Sequence, residues 1–241
     1  MRIITIFNNK GGVGKTTTAI NLAYDIVNQG GRVLIIDMDP QENTTWFLKK
    51  LNSAKTIYKV MQFNASIEKA IRKTQFENLD IVPGSTGTAL IGGISENVLK
   101  DALNKSQKVQ GYDAVIIDCG PSTQIYTINA LMAADRIIIP VKPDRYSLIG
   151  LNKTVMSIND ITGEDKTKAL LTNYVSNKNN NKIVTELIES GANIYSSAIR
   201  YSRMADSSIA TRRPLSRHKK LSGIAEDYEN LTNEVITELG L

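Results

Sequence analysis

The chain has 241 residues, of which 41% are apolar and 22% charged, and its formal net charge is +5. This composition excludes a disordered chain, and the length suffices to bury a full core, so a single domain over residues 1–241 is expected. The longest apolar runs, 115–117 and 137–141, stop far short of the roughly 20 residues of a membrane helix, and no cleavable leader pattern opens the chain. A cytoplasmic protein with no membrane partner is expected. One cysteine, Cys119, and one histidine, His218, exclude an internal disulfide and a conventional zinc site, which leaves metal chemistry to oxygen ligands.

In chain order, β-branched apolar runs at 2–7, 32–37, 79–82, 114–118, 136–141, 169–175 and 194–199 read as strands. Between the first two, Ala19, Ile20, Leu22, Ala23, Ile26 and Val27 recur at helical spacing, and Gly30-Gly31 ends that helix. Repetition of the strand, helix, strand unit predicts an α/β fold of the P-loop kind: a mostly parallel, twisted sheet with helices on both faces and ligands at the C-terminal strand ends. Residues 52–78 give no clear pattern, and 177–181 read as a polar loop. A last helix spans 222–239, with Ile224, Tyr228, Leu231, Val235 and Leu239 as its buried stripe.

The first strand runs directly into Asn8-Asn9-Lys10-Gly11-Gly12-Val13-Gly14-Lys15-Thr16-Thr17-Thr18, and a helix follows. A triphosphate needs many donors in a small arc. Glycines let backbone N–H groups turn inward, the helix N-terminus adds its positive end, Lys15 reaches the outer phosphates and the Thr16 hydroxyl ligates Mg²⁺. Residues 10–17 are therefore the candidate ATP-binding loop, although Asn9 stands where the strict pattern has its first glycine.

Two strand ends supply acids beside that loop: Asp37-Met38-Asp39-Pro40-Gln41 and Asp118-Cys119-Gly120-Pro121. Any one of these aspartates alone is read equally well as a turn or capping residue. Three together beside a phosphate loop point to Mg²⁺ and water handling.

On Lys10-Gly11-Gly12-Val13-Gly14-Lys15-Thr16-Thr17, Asp37-Met38-Asp39-Pro40-Gln41 and Tyr112-Asp113-Ala114-Val115-Ile116-Ile117-Asp118, nearly the whole chain resembles the ParA-type partition ATPases, in the deviant Walker group that also holds MinD. The resemblance implies that Lys10 crosses into the nucleotide of a second subunit, so that a homodimer forms in the ATP state. It also implies that Asp39 positions or activates the attacking water, that Asp37 supports the Mg²⁺ shell and that Asp118 holds the ion through water. Asn173, at the end of an apolar strand, reads as an adenine contact or as a turn residue. Two departures from the family pattern are Gly120-Pro121 in place of Pro-Pro, and the missing proline before Arg200.

Arg200, Arg203, Arg212, Arg213, Arg217, Lys219 and Lys220 face a single acid, Asp206, within residues 198–220. An evenly solvated surface would spread such charge, whereas clustering favours sequence-independent contacts with DNA phosphates. The resemblance implies that this segment binds double-stranded DNA nonspecifically once the dimer forms, that Arg203 matches an arginine used for it, and that a ParB-like centromere-binding partner stimulates hydrolysis on the nucleoid. Only a few residues precede the phosphate loop, so no N-terminal helix-turn-helix is expected.

Rival readings are a membrane-cycling MinD-like ATPase, an ATPase that positions protein cargo, a metabolic enzyme on the same scaffold, and a scaffold that holds ATP without turnover. The acids Glu226, Asp227, Glu229, Glu234 and Glu238 make the last helix unsuited to anionic lipid, and one cysteine is too few for an iron–sulfur cluster.

Overall fold

The computed structural model describes residues 1–48, 55–144 and 146–241. Among them, strands β1 (Arg2–Ile6), β2 (Val33–Asp37), β3 (Arg72–Lys73), β4 (Leu79–Val82), β5 (Ala114–Asp118), β6 (Arg136–Val141), β7 (Thr167–Tyr174) and β8 (Ile194–Arg200) form one sheet in the order β3-β4-β2-β5-β1-β6-β7-β8. Every neighbouring pair is parallel except β3 and β4. In β2 and β5 every residue is buried, as strands covered on both faces must be, which is why their sequences are unbroken apolar runs rather than alternating ones.

The helices follow as α1 (Lys15–Asn28), α2 (Asn43–Phe47), α3 (Ile57–Phe63), α4 (Val98–Lys105), α5 (Gln107–Gln110), α6 (Ile125–Ala133), α7 (Ser147–Thr162), α8 (Lys178–Glu189), α9 (Met204–Thr211), α10 (Leu215–His218) and α11 (Gly223–Leu239). They sort into two layers. α3 to α8 share the core on one face of the sheet, with Leu99, Leu103, Leu131, Leu151 and Leu187. α1, α2, α10 and α11 share the other, with Leu22, Phe47, Leu215, Tyr228 and Leu231. Helix α1 ends where Gly30 turns to φ 96° and its N–H reaches the Val27 carbonyl, a conformation that a side chain would oppose.

β1 lies between β5 and β6. The chain leaves β1 for β2 on one side and later crosses from β5 to β6 on the other. That reversal opens a crevice at the C-terminal ends of β1, β2 and β5, the place where open α/β sheets take ligands.

The seven strands expected from sequence are all present, within two residues at each end. The unread region 52–78 holds α3 and β3, its first three residues lying outside the described ones. β3 has two charged residues, pairs antiparallel at the sheet edge and offers no periodicity to detect. Leu231 of α11 is fully buried against α1 and the sheet. Leu231→Ala is expected to lower the unfolding free energy by about 2–5 kcal/mol, read from the denaturation midpoint at unchanged m-value.

Candidate nucleotide-binding site

The loop between β1 and α1 turns through Gly12 at φ 67° and Gly14 at φ 88°, the left-handed steps from which successive N–H groups converge on an anion. Neighbouring strands hold it from outside. The Asn8 amide donates to the Pro140 carbonyl after accepting from the Lys10 N–H (2.8 and 2.9 Å), and the Thr172 hydroxyl at the end of β7 donates to the Val13 carbonyl at 2.8 Å. Lys15, only 7% exposed, folds its ammonium back onto the Lys10 carbonyl at 2.9 Å. Burial pulls its pKa down, while Asp118 and Asp39 oppose that shift. Lys10, Gly11, Gly12, Val13, Gly14, Lys15, Thr16 and Thr17 thus form one continuous loop at the N-terminus of a 14-residue helix, a cradle of the kind that suits a phosphate.

Strand register brings the acids to it. Asp37 and Asp118 are paired positions on β2 and β5, and Asp118 is paired with Ile6 of β1 immediately before the loop. Asp118 Oδ2 accepts from the hydroxyls of Thr16 and Thr44, both at 2.8 Å, while its enclosed Oδ1 has no protein partner. Burial raises this carboxyl to about 6, against the lowering effect of the two hydroxyls. An oxygen left over inside the protein, next to a threonine hydroxyl and an anion cradle, is the hard donor set that suits Mg²⁺ with a phosphate. The residues present therefore fit the ion.

Asp37 is engaged differently. Its Oδ2 accepts from the Thr45 N–H (2.8 Å) and hydroxyl (2.6 Å), and its Oδ1 from the Asp39 N–H (3.2 Å). Burial first, and then the neighbouring Asp118 charge, push it up to about 8. These bonds fasten residues 39–45. Asp39 is 7% exposed and accepts the Gln41 N–H at 2.9 Å. Gly120 approaches so closely that a Cβ there would lie 3.0 Å from Asp39 Oδ1.

The remaining expected residues are placed as follows. The Lys10 ammonium pairs with Asp144 in the loop between β6 and α7, outside its own cradle. Asn173 sits half-buried at the end of β7 with φ 50°, one residue past the Thr172 that holds the loop. In the basic segment, Arg203, Arg213, Arg217, Lys219 and Lys220 are exposed.

Arg200 is exposed and also ion-paired: its Nε and Nη2 donate to the two oxygens of Asp227 at 2.8 and 2.7 Å, and its own N–H joins them at 2.9 Å. Asp227 lies outside residues 198–220 and is brought to Arg200 by α11. Arg212 is half-buried, with its guanidinium 3.9 Å from the centre of the Trp46 ring. His218 faces the hydroxyls of Ser207 and Thr211.

Thr44, Thr45, Asn8, Thr172 and Asp144 were not singled out from sequence. The adjacent threonines following Asp37 are the nearest thing to a signal, but their tie to Asp118 exists only across the fold.

A phosphate loop on β1, acids on β2 and β5, and an eight-stranded sheet with helices on both faces define a P-loop nucleotide-binding protein of the ParA/MinD fold. The chain belongs to the AAA domain family whose profile matches residues 1–172, and it is a relative of the ParA and Soj proteins. It is 41% identical over 165 residues to the sporulation initiation inhibitor protein Soj of Bacillus subtilis, an alignment covering 65% of this chain and 64% of that protein. To the chromosome-partitioning ATPase Soj of Thermus thermophilus it is 29% identical over 248 residues, covering 99% of this chain and 97% of the other. A putative plasmid partition protein of Borrelia burgdorferi bound to AMPPNP superposes with a TM-score of 0.86 at 24% identity, over 98% of this chain and 99% of that one, and so shares the fold.

Because burial raises Asp118 to about 6 and Asp37 to about 8, the folded chain without ligand holds protons that the unfolded chain has released. Their contribution to stability is therefore full below the ordinary carboxylate pKa and is lost as pH rises to about 8. The melting temperature of nucleotide-free protein is expected to fall across this window. A smaller pH dependence in Asp37→Asn would confirm the source, and an unchanged slope would exclude Asp37 as a contributor.

Proposed function

We propose that the chain is an ATPase that hydrolyses ATP slowly and uses the bound nucleotide to switch a homodimer on and off nonspecific double-stranded DNA, in the partition of a plasmid or chromosome. One connection carries this reading. Helix α1, whose N-terminus is the phosphate cradle, is also hydrogen-bonded to the segment bearing the basic residues: Asn21 Oδ1 accepts the Leu215 N–H at 2.7 Å and Asp25 Oδ1 accepts the Ser216 hydroxyl at 2.5 Å.

In this scheme the loop N–H groups, Lys15 and Thr17 hold the phosphates, and Thr16 with Asp118 hold Mg²⁺. The ion supplies charge neutralisation between the outer phosphates. Asp39, held by the Gln41 N–H and crowded by Gly120, orients the attacking water and accepts its proton. Asn173 lies at the adenine end. Lys10, whose ammonium is already directed away from its own cradle, neutralises phosphate charge on the partner's nucleotide, so two subunits close over two ATP molecules. Arg203, Arg213, Arg217, Lys219 and Lys220, with Arg212 at the margin, meet DNA phosphates. Arg200 is left out because Asp227 holds it. A ParB-like centromere-binding protein is the partner that accelerates turnover, on the nucleoid.

A membrane-bound cycle of the MinD kind is disfavoured because α11 keeps Glu226 and Glu229 exposed and is itself fastened to the sheet by its other three acids. Asp227 binds Arg200, Glu234 accepts from Ser196 and Ser197, and Glu238 pairs with Arg136 and Lys168. No helix among the described residues is long and apolar enough to cross a membrane.

The test is duplex binding with no nucleotide, ADP or ATP, alongside light scattering for dimer content. Asp39→Ala should trap a DNA-bound dimer in ATP, and Lys10→Ala should remain monomeric. Arg203→Ala should lower the log–log salt slope of DNA binding by about 1. DNA affinity that ignores the nucleotide would sink the switch.

A further inference from the structure

Trp46 is the chain's only tryptophan, and it is not a core residue. It is 38% exposed, and its ring is stacked under the guanidinium of Arg212, 3.9 Å from the centroid. Arg212 caps the end of α9 with φ 51°, at the junction between α9 and the rest of the basic segment. On the other side of the same short helix, the two residues before Trp46 bind the two strand-end carboxylates: Thr44 holds Asp118 and Thr45 holds Asp37. One turn of helix therefore touches the nucleotide site with one side and the basic arm with the other.

The two attachments of the arm differ in kind. Towards α1 the arm is held by the buried Asn21 and Asp25, 2% and 4% exposed, on the helix that begins at the phosphate cradle. Towards α2 the attachment is a half-exposed stack, next to a groove of about 290 Å³ bordered by Thr17, Ile20, Trp46 and Ile209. Space to shift exists on this side. The site also supplies a difference between states. Thr16 and Thr44 share one oxygen of Asp118, so a cation taken up by Thr16 and Asp118 alters what that oxygen offers Thr44, while Thr45 stays on Asp37. A ligand moves a conformational equilibrium only through such unequal contacts.

We propose that Trp46 is the positioning residue that carries the state of the nucleotide site to the basic arm: Thr44 and Thr45 set the place of α2, and α2 sets the arm through the Trp46 ring under Arg212. The consequence for DNA rests on the function proposed above; the ligand-dependent change in the stack does not.

The full-length chain tests both parts. Trp46 emission and its acrylamide quenching are recorded without nucleotide, with ADP and Mg²⁺, and with ATP and Mg²⁺. The nucleotide-free state should differ from both Mg²⁺-loaded states, and the difference should collapse in Arg212→Ala. On a labelled duplex, the ratio of ATP-state to nucleotide-free affinity should fall about tenfold in Trp46→Ala and less in Trp46→Phe, which keeps an aromatic face, with binding of a labelled nucleotide unchanged. Identical emission in all states, a change that survives Arg212→Ala, or a wild-type affinity ratio in Trp46→Ala overturns the proposal. If Trp46→Ala does not fold, Trp46→Phe decides the second arm. If the wild type binds DNA equally in every state or not at all, the partition reading fails, and the emission experiment alone decides whether the stack responds to nucleotide.

Discussion

Three carboxylates and one ammonium are buried together at the C-terminal ends of β1, β2 and β5, and much of the arrangement around them follows from keeping that charge inside. Asp37 and Asp118 are fully enclosed, and Asp39 and Lys15 are each 7% exposed. Burying like charges side by side is costly unless hydrogen bonds, an opposite charge or a bound cation offset it. Thr16, Thr44 and Thr45 supply hydroxyls, Lys15 supplies the positive charge, and one oxygen of Asp118 is left for a ligand. A site that is incompletely satisfied alone is one whose stability rises when its ligand arrives.

The same constraint explains the small residues around it. Gly84 comes so near Asp37 that a Cβ would stand 2.9 Å from the carboxyl carbon, and Gly120 is pressed against Asp39. The loops that follow β4 and β5 pass close over these acids, and a side chain at 84 would press on both the carboxyl and the backbone oxygen of Asp37. Gly84 donates its N–H to the Thr45 hydroxyl, which in turn donates to Asp37, so the crowding also completes a hydrogen-bond chain.

Away from the site, charge is used to fasten the last helix. α11 lies against β8 and α1, and its acids take Arg200, Arg136, Lys168 and the Ser196 and Ser197 N–H groups. Gly223 at the start of α11 permits this, since a Cβ there would fall 2.2 Å from an Arg200 nitrogen. The basic segment between β8 and α11 is thus tied at both ends, with its exposed cations left for an external anion.

The sequence by itself determined seven of the eight strands, the first and last helices, the phosphate cradle at residues 10–17 and the three acids, while α8 begins inside the stretch 177–181 that reads as a polar loop. Each of these is local: buried parallel strands demand unbroken apolar runs, a triphosphate demands glycines and a lysine at a helix start, and the acids fall where apolar runs end. Only the tertiary structure decided which partners those residues have. Thr44 reaches Asp118 across 74 positions and Thr172 reaches Val13 across 159, separations at which spacing carries no information. The same holds for Asp227, which pairs with Arg200, and for Arg212, whose guanidinium lies over the ring of Trp46. Strand register and helix packing create these neighbours, and no window along the chain contains both members of any such pair.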